Sequence, residues 1–250
     1  QVQQLNEQSL SLRLCNLQDG DGRATFRNMQ ADVRSYKKIK MFVHAESFVN
    51  QPAVNDNDLV VFVRIGSDLT ENFYEYEMPL KMSPLYNNNP NSIWPEENNM
   101  EIELDKLLRA KQMRQQALQT PGSGITIKTY YQVPDGKNTI YVVGSPNLMQ
   151  VRTVMIGVRN PRQNCPLYPA YNNDDGLAKC AEVWVNELRL TDFDESGGWA
   201  ANARVTTKLA NLGTLSLSGL RRTIGFGMIE QKVNDRSRDD ITSYDLSTTL

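Results

Sequence analysis

Short period-two runs, loops full of Asn, Pro and Gly, and a change of texture after Asp192 predict an all-β chain. The expected architecture is a jelly-roll-like β-sandwich with one inserted helix over residues 1–196. Over 197–250 it gives way to antiparallel strands of the kind that open a transmembrane β-barrel wall. Composition fits such a fold: of 250 residues, 40% are hydrophobic, enough for a packed core, and 22% are charged. A net charge of −2 offers no basic face for nucleic acid. No apolar run reaches about 18 residues, so no transmembrane helix or signal peptide is read here. Membrane strands are only half apolar and escape that test. The chain begins on Gln1 and stops at Leu250 inside an alternating run, which suggests an internal fragment.

The strands of the first part follow in order. Ile39 to Ala45 is β-rich, and Leu59 to Ile65 is apolar on both faces, as a central strand is. Phe73 to Leu80 alternates, placing Tyr74, Tyr76, Met78 and Leu80 on one face and Glu75 and Glu77 on the other. Ile125–Val133, Thr139–Val143, Val151–Val158 and Ala181–Leu190 add further strands. Glu103–Gln119 lacks Gly and Pro, is rich in helix formers and is stopped by Thr120-Pro121-Gly122, which predicts a helix. Its apolar stripe, Leu104, Leu107, Leu108 and Lys111, is narrow and places it on the outside of the sandwich.

Beyond the Glu195–Gly198 turn the long apolar runs end. Ala203, Val205 and Leu209 alternate with Asn202, Arg204, Thr206 and Lys208. Asn211-Leu212-Gly213 turns the chain, and Leu215 and Leu217 then alternate with Thr214, Ser216 and Ser218. In a barrel wall, Asn202, Arg204, Thr206 and Lys208 would face the lumen, and Ala203, Val205, Leu209, Leu215 and Leu217 the lipid. A soluble sheet with one wet face has the same period.

Candidate chemistry is sparse. Cys165 and Cys180 bracket a polar loop whose closure by a disulfide would stabilise by about 3 kcal/mol on the chain-entropy argument. Zinc lacks a CxxC and a nearby histidine, and two free buried thiols are the third reading. The single histidine, His44, reads as a partly exposed strand residue. Asp19-Gly20-Asp21-Gly22 lacks EF-hand spacing and reads as a turn, and Asp174-Asp175-Gly176 as a solvated loop. Glu75 and Glu77, neighbours on one strand face, do not meet the opposed geometry of a glycosidase pair and read as a wet sheet face. With no GxSxG, HExxH, phosphate-cradling loop or triad, no enzyme, metal or cofactor is expected. Tyr130, Tyr131, Tyr168, Tyr171 and Trp94 are candidates to stack on sugars, so a cell-surface carbohydrate-binding module is the rival reading.

Specific strings then carry a resemblance. They are Leu5-Asn6-Glu7-Gln8-Ser9-Leu10-Ser11-Leu12, Leu17 to Asp21, Tyr36 to Ala45, Arg64 to Asp68, Tyr74 to Leu80, Trp94 to Glu97 and Val151 to Asn160. The strongest is Cys180-Ala181-Glu182-Val183-Trp184-Val185-Asn186-Glu187-Leu188-Arg189-Leu190, followed by Gly197-Gly198-Trp199-Ala200-Ala201. In this order they resemble the SprA/Sov family, the outer-membrane translocon of the type 9 secretion system, tied to gliding motility in some Bacteroidetes. The resemblance implies a very large single-chain barrel that passes folded cargo proteins. It implies a PorV-like barrel and a periplasmic plug protein as partners, outer-membrane lipid around the wall, and a sandwich at the cell surface that shapes or caps the opening.

Overall fold

A computed structural model describes residues 9–162, 175–232 and 235–249. The chain divides into two compact units, Gln1–Asp192 and Phe193–Leu250.

The first unit is a sandwich of two sheets. One has the order β1 (Leu10–Leu17), β10 (Lys179–Phe193), β3 (Tyr36–Ser47), β6 (Asn99–Glu103). The other runs β2 (Gly22–Ala31), β9 (Val151–Arg159), β4 (Val60–Gly66), β5 (Phe73–Pro79), β8 (Asn138–Val143), β7 (Tyr131–Asp135). First pairs with last, second with second-to-last, third with sixth and fourth with fifth, which is the wrapping order of a jelly roll with β7 and β8 added at one side. The core lies between the sheets and follows the period-two pattern. Ile39, Met41, Val43 and Ala45 of β3 and Ala181, Val183 and Val185 of β10 join Val61, Val63 and Ile65 of β4 and Tyr74, Tyr76 and Met78 of β5.

Helix α2 spans Leu104–Gln119, with a short turn α1 (Pro90–Ile93) before it. Asp105 in the first turn of α2 complements the helix dipole. The buried stripe of α2 is Leu104, Leu107, Ala110 and Arg114, so Leu108 leaves the predicted face and is exposed. At about 100° per residue, Leu104, Leu107, Ala110 and Arg114 centre on one direction, and Leu108 lies roughly 100° away from it, on the solvent side. The Arg114 guanidinium donates to the Gly144 carbonyl and Lys111 Nζ to that of Pro146 at 2.8 Å, tying the helix to the end of β8. Truncating Leu107 to Ala would cost about 2–5 kcal/mol.

Three strands, β1, β2 and β6, go beyond the sequence reading, and one expected strand shrinks: of Ile125–Val133 only Tyr131 onward is strand. Thr126 and Thr129 form a local turn there, with the Thr126 amide donating to Thr129 Oγ1 at 2.9 Å, so hydroxyl-to-backbone bonding displaces the ladder. Asp19-Gly20 is a turn, with Gly20 at φ +83°.

The cysteines pair differently from the expectation. Cys180 is bonded to Cys15, its cross-strand neighbour region on β1, so the Cys165–Cys180 bridge does not form; Cys165 itself lies outside the described residues. The antiparallel register brings Leu14 opposite Ala181, which sets Cys15, after Leu14, and Cys180, before Ala181, within bonding reach. This bridge spans 165 residues of sequence and staples the first strand of the unit to the last.

The second unit is a three-stranded antiparallel sheet, β11 (Ala200–Leu209), β12 (Gly213–Arg222) and β13 (Ile241–Thr249), in that order. It is not closed, and β11 and β13 are its edges.

Candidate functional site

Alternation in one strand becomes a surface only if the register of its neighbours agrees. In the second unit it does. Val205 lies opposite Leu217, which lies opposite Leu246; Thr207, Leu215 and Thr248 form the next row; Ala203, Gly219 and Tyr244 form the row before. Directly opposed residues in antiparallel strands share a face, so these rows make one continuous small or apolar face. Val205 is 63% exposed and Leu246 66%, which leaves that face uncovered in this unit. The Tyr244 ring lies in contact range of Gly219, covering the gap a missing side chain leaves.

The other face is polar. Asn202, Arg204, Thr206 and Lys208 stand in rows with Ser243, with Ser218 and Asp245, with Ser216 and Ser247, and with Thr214 and Thr249. Thr206 and Ser216 hydroxyls are 3.2 Å apart. Leu220 is the departure, standing beside Asn202 and Ser243. The four residues expected on the lumen side therefore share one face, and Ala203, Val205, Leu209, Leu215 and Leu217 share the opposite one.

The two ends of the sheet differ. Between β11 and β12 only Ala210–Leu212 intervene, with the Leu212 amide donating to Leu209 at 2.7 Å. The β12–β13 connection runs from Thr223 to Asp240 and has its own pairing: the Gly225 amide donates to Ser237, and the Ser237 amide to Phe226. Trp199 and Thr223 are bonded at this end, where Arg221 also pairs with Asp240 at 2.6 Å. By strand parity Trp199 belongs to the apolar face, so an aromatic ring marks its boundary with a charged rim.

On the first unit the candidates resolve into structural groups. Glu75 and Glu77 do share a face, opposite Tyr74 and Tyr76, but that face is not wet: both are essentially inaccessible. Arg64 binds Glu75 through Nε at 2.8 Å and Nη2 at 2.6 Å, and Arg159 reaches Glu75 at 2.9 Å and also binds Glu77. The guanidiniums lie over aromatic rings, Arg64 3.9 Å from the centroid of Phe73 and Arg159 4.6 Å from that of Phe62. Gly157 makes this possible, since a Cβ there would collide with the Phe62 ring at 2.5 Å. Two carboxylates and two guanidiniums cancel in charge and satisfy each other's hydrogen bonds, which is what burial of charge requires. Arg64 and Arg159 were not singled out from the sequence; the only trace is an arginine at the polar parity of an otherwise apolar strand.

His44 is buried, at 3% exposure, in place of the partly exposed position expected. Its Nδ1 donates to the Ile93 carbonyl at 2.6 Å, and its ring packs 4.5 Å from Trp184 and 6.0 Å from Trp94, so it fastens the turn at α1 to the sheet. Trp184 in turn donates to Glu182 at 2.8 Å. Tyr130 packs edge-on against Phe73 and Tyr141, and Tyr131 lies half-buried in β7, while Tyr168, Tyr171 and Asp174 lie outside the described residues. Asp175 pairs with Lys179 at 2.7 Å, and Lys179 also binds Asp58 at 2.8 Å. Burial opposes the charge of Lys179, but these two carboxylates outweigh it and raise its pKa. Among the described residues no group of three His, Cys, Asp or Glu converges to hold a metal, and no helix is long and apolar enough to cross a membrane, which leaves strand-based spanning open.

Fold and site together define an all-β protein that joins a jelly-roll sandwich to an unclosed sheet with one uncovered apolar face. The SprA N-terminal family profile, described as motility related/secretion protein, matches residues 1–250, and the chain belongs to that family. No curated protein matches it. Its function is therefore related to motility and secretion.

Proposed function

We propose that the chain is a structural part of a protein-conducting outer-membrane translocon, in which the second unit is barrel wall and the sandwich caps or shapes the opening. The observation that carries this reading is the register of β11, β12 and β13, which aligns an uncovered apolar face against a polar one while leaving both edges unpaired. An uncovered apolar sheet face in water is costly, and open edges invite aggregation; lipid on one face and further wall strands at both edges remove both problems. Arg204 and Lys208 then face a wet lumen, and Val205, Leu217 and Leu246 the acyl chains, with Trp199 at the interfacial girdle.

The connections support an orientation. Outer-membrane barrels place short turns in the periplasm and long loops outside. The chain enters β11 at Ala200, opposite Arg222, and so at the end that carries the long Thr223–Asp240 connection. The sandwich then joins the wall on the cell-surface side. A conduit needs no catalytic group. Its partners on this reading are secreted cargo, a PorV-like barrel, a periplasmic plug protein and outer-membrane lipid.

The test is spin labelling of single cysteines introduced from 202 to 209 and at 215 and 217, in a Cys165→Ser background, with the translocon assembled in outer membranes. Oxygen accessibility should peak at 203, 205, 209, 215 and 217, and that of a water-soluble nickel complex at 202, 204, 206 and 208. Uniform water accessibility at every position would reject the wall.

A further inference from the structure

Strand β2 is the edge of the six-stranded sheet, and it is unlike the strands beside it. From Gly22 to Gln30 every residue is exposed, on both faces, whereas β4 two places in is almost wholly buried. Strand β2 pairs with β9 in unbroken register from Gly22 to Asn28, with an irregularity only between Asn28 and Ala31. Among the described residues, seven in regular register thus keep an unpaired outer backbone edge, which native sheets ordinarily shorten or cover.

Its side chains are arranged with some selectivity. Arg23 is opposite Val158, Thr25 opposite Ile156 and Arg27 opposite Val154, so both arginines lie on the face that builds the core farther in. Among the described residues neither has an ion-pair or hydrogen-bond partner. They stand four residues apart, roughly 13 Å along the strand. The other face carries Ala24, Phe26 and Asn28, and Phe26 is 58% exposed beside Met155.

Inward-pointing charge on an edge repels chance pairing with an apolar strand. The same two charges favour a strand that brings carboxylates to them, since opposed pairs on one sheet face stabilise and like pairs destabilise. A second copy fits poorly, because antiparallel two-fold self-pairing of this edge gathers four arginines on one face whatever the register. We infer that β2 is a docking edge at which a partner protein adds an extended strand bearing two acidic side chains four residues apart, read by Arg23 and Arg27, with an apolar residue of the opposite face set against Phe26. Backbone ladder bonds supply the affinity in such strand addition, and the side-chain pairs the choice of partner. The inference is independent of whether the second unit is barrel wall.

The probe is a short fluorescein-labelled β-forming peptide with two glutamates four residues apart, compared with its two-lysine counterpart, titrated into the full chain in mild detergent and read by anisotropy. The acidic peptide should bind saturably, weaken as salt rises and slow hydrogen exchange of amides 22–31. Replacing Arg23→Glu with Arg27→Glu should weaken it about tenfold and transfer binding to the lysine peptide. Two solvent-exposed side chains carry little folding risk, and the exchange footprint on the unaltered chain needs no variant. Absence of saturable binding, equal binding of both peptides, protection elsewhere than β2, or a β2-dependent dimer would each overturn the inference.

Discussion

The six-stranded sheet of the sandwich and the three-stranded sheet of the second unit are written in the same period-two code and end in opposite states. In β5 both parities are buried: Tyr74, Tyr76 and Met78 on the core side, and Glu75 and Glu77 on the other beneath paired arginines. In β11 both parities are exposed. Alternation therefore reports that a strand has two chemically different faces, and it does not report what covers either of them. A polar parity can be dry when charge meets charge, and an apolar parity can lie bare.

Unpairing the dry polar face should have the largest effect. Glu75→Ala leaves Arg64 and a share of Arg159 uncompensated in a buried setting, and should destabilise the sandwich by about 3–5 kcal/mol. Denaturant unfolding of the sandwich signal would measure it. A cost below about 1 kcal/mol would mean that water reaches the network and that the face is wet after all. Next in size is the staple. Cys15→Ser with Cys180→Ser should cost about 2–4 kcal/mol, because the bridge restrains the unfolded chain between its most distant strands. Reducing agent should lower the melting temperature of the unaltered protein and leave that of the double variant unmoved.

The contrasting sheet predicts a different pattern. Leu217→Arg, in the middle row of the apolar face, should cost about 2–4 kcal/mol in a membrane-embedded wall, as charges near a bilayer midplane do. Arg204→Ala on the opposite face should change assembly little. Measured as the denaturant midpoint of the assembled barrel, equal effects at the two positions would contradict distinct lipid and lumen faces.

Much of the fold was legible because it is local. The period-two runs at 39–45, 73–80 and 151–158 and the helix to Gln119 are set by neighbours within a few residues of one another. What stayed hidden is non-local. Arg159 meets Glu75 across 84 residues of sequence, and Cys15 meets Cys180 across 165, distances over which spacing carries no signal. Proximity in sequence favoured Cys165, but sheet register decided the bond. Strand β2 was missed for the reverse reason: Gly22–Ala31 mixes Arg, Asn and Gln with few apolar residues because no layer covers it, so there was no buried face to read. The faces of β11 and β12 were visible in sequence, whereas the shared register that turns them into a surface was not.

The smallest predicted effect concerns the β4–β5 loop, where one carboxylate gathers the donors of a polar turn. Asp68 accepts from the amides of Thr70, Glu71 and Asn72 at 3.0, 2.6 and 3.0 Å and from the Asn72 side chain at 2.8 Å. Partial burial works against its charge, but these donors outweigh it and bring its pKa down to about 2. A carboxyl with a depressed folded-state pKa stabilises fully above its ordinary range and loses that contribution as pH falls toward 2. Because these bonds are local to one turn, the effect is modest: Asp68→Ala should cost about 1 kcal/mol near neutral pH. The difference in melting temperature between the two proteins should shrink steadily between pH 4 and pH 2. A difference that stayed constant through that window would show that the side chain acts through its shape, and that the carboxylate charge contributes nothing to the turn.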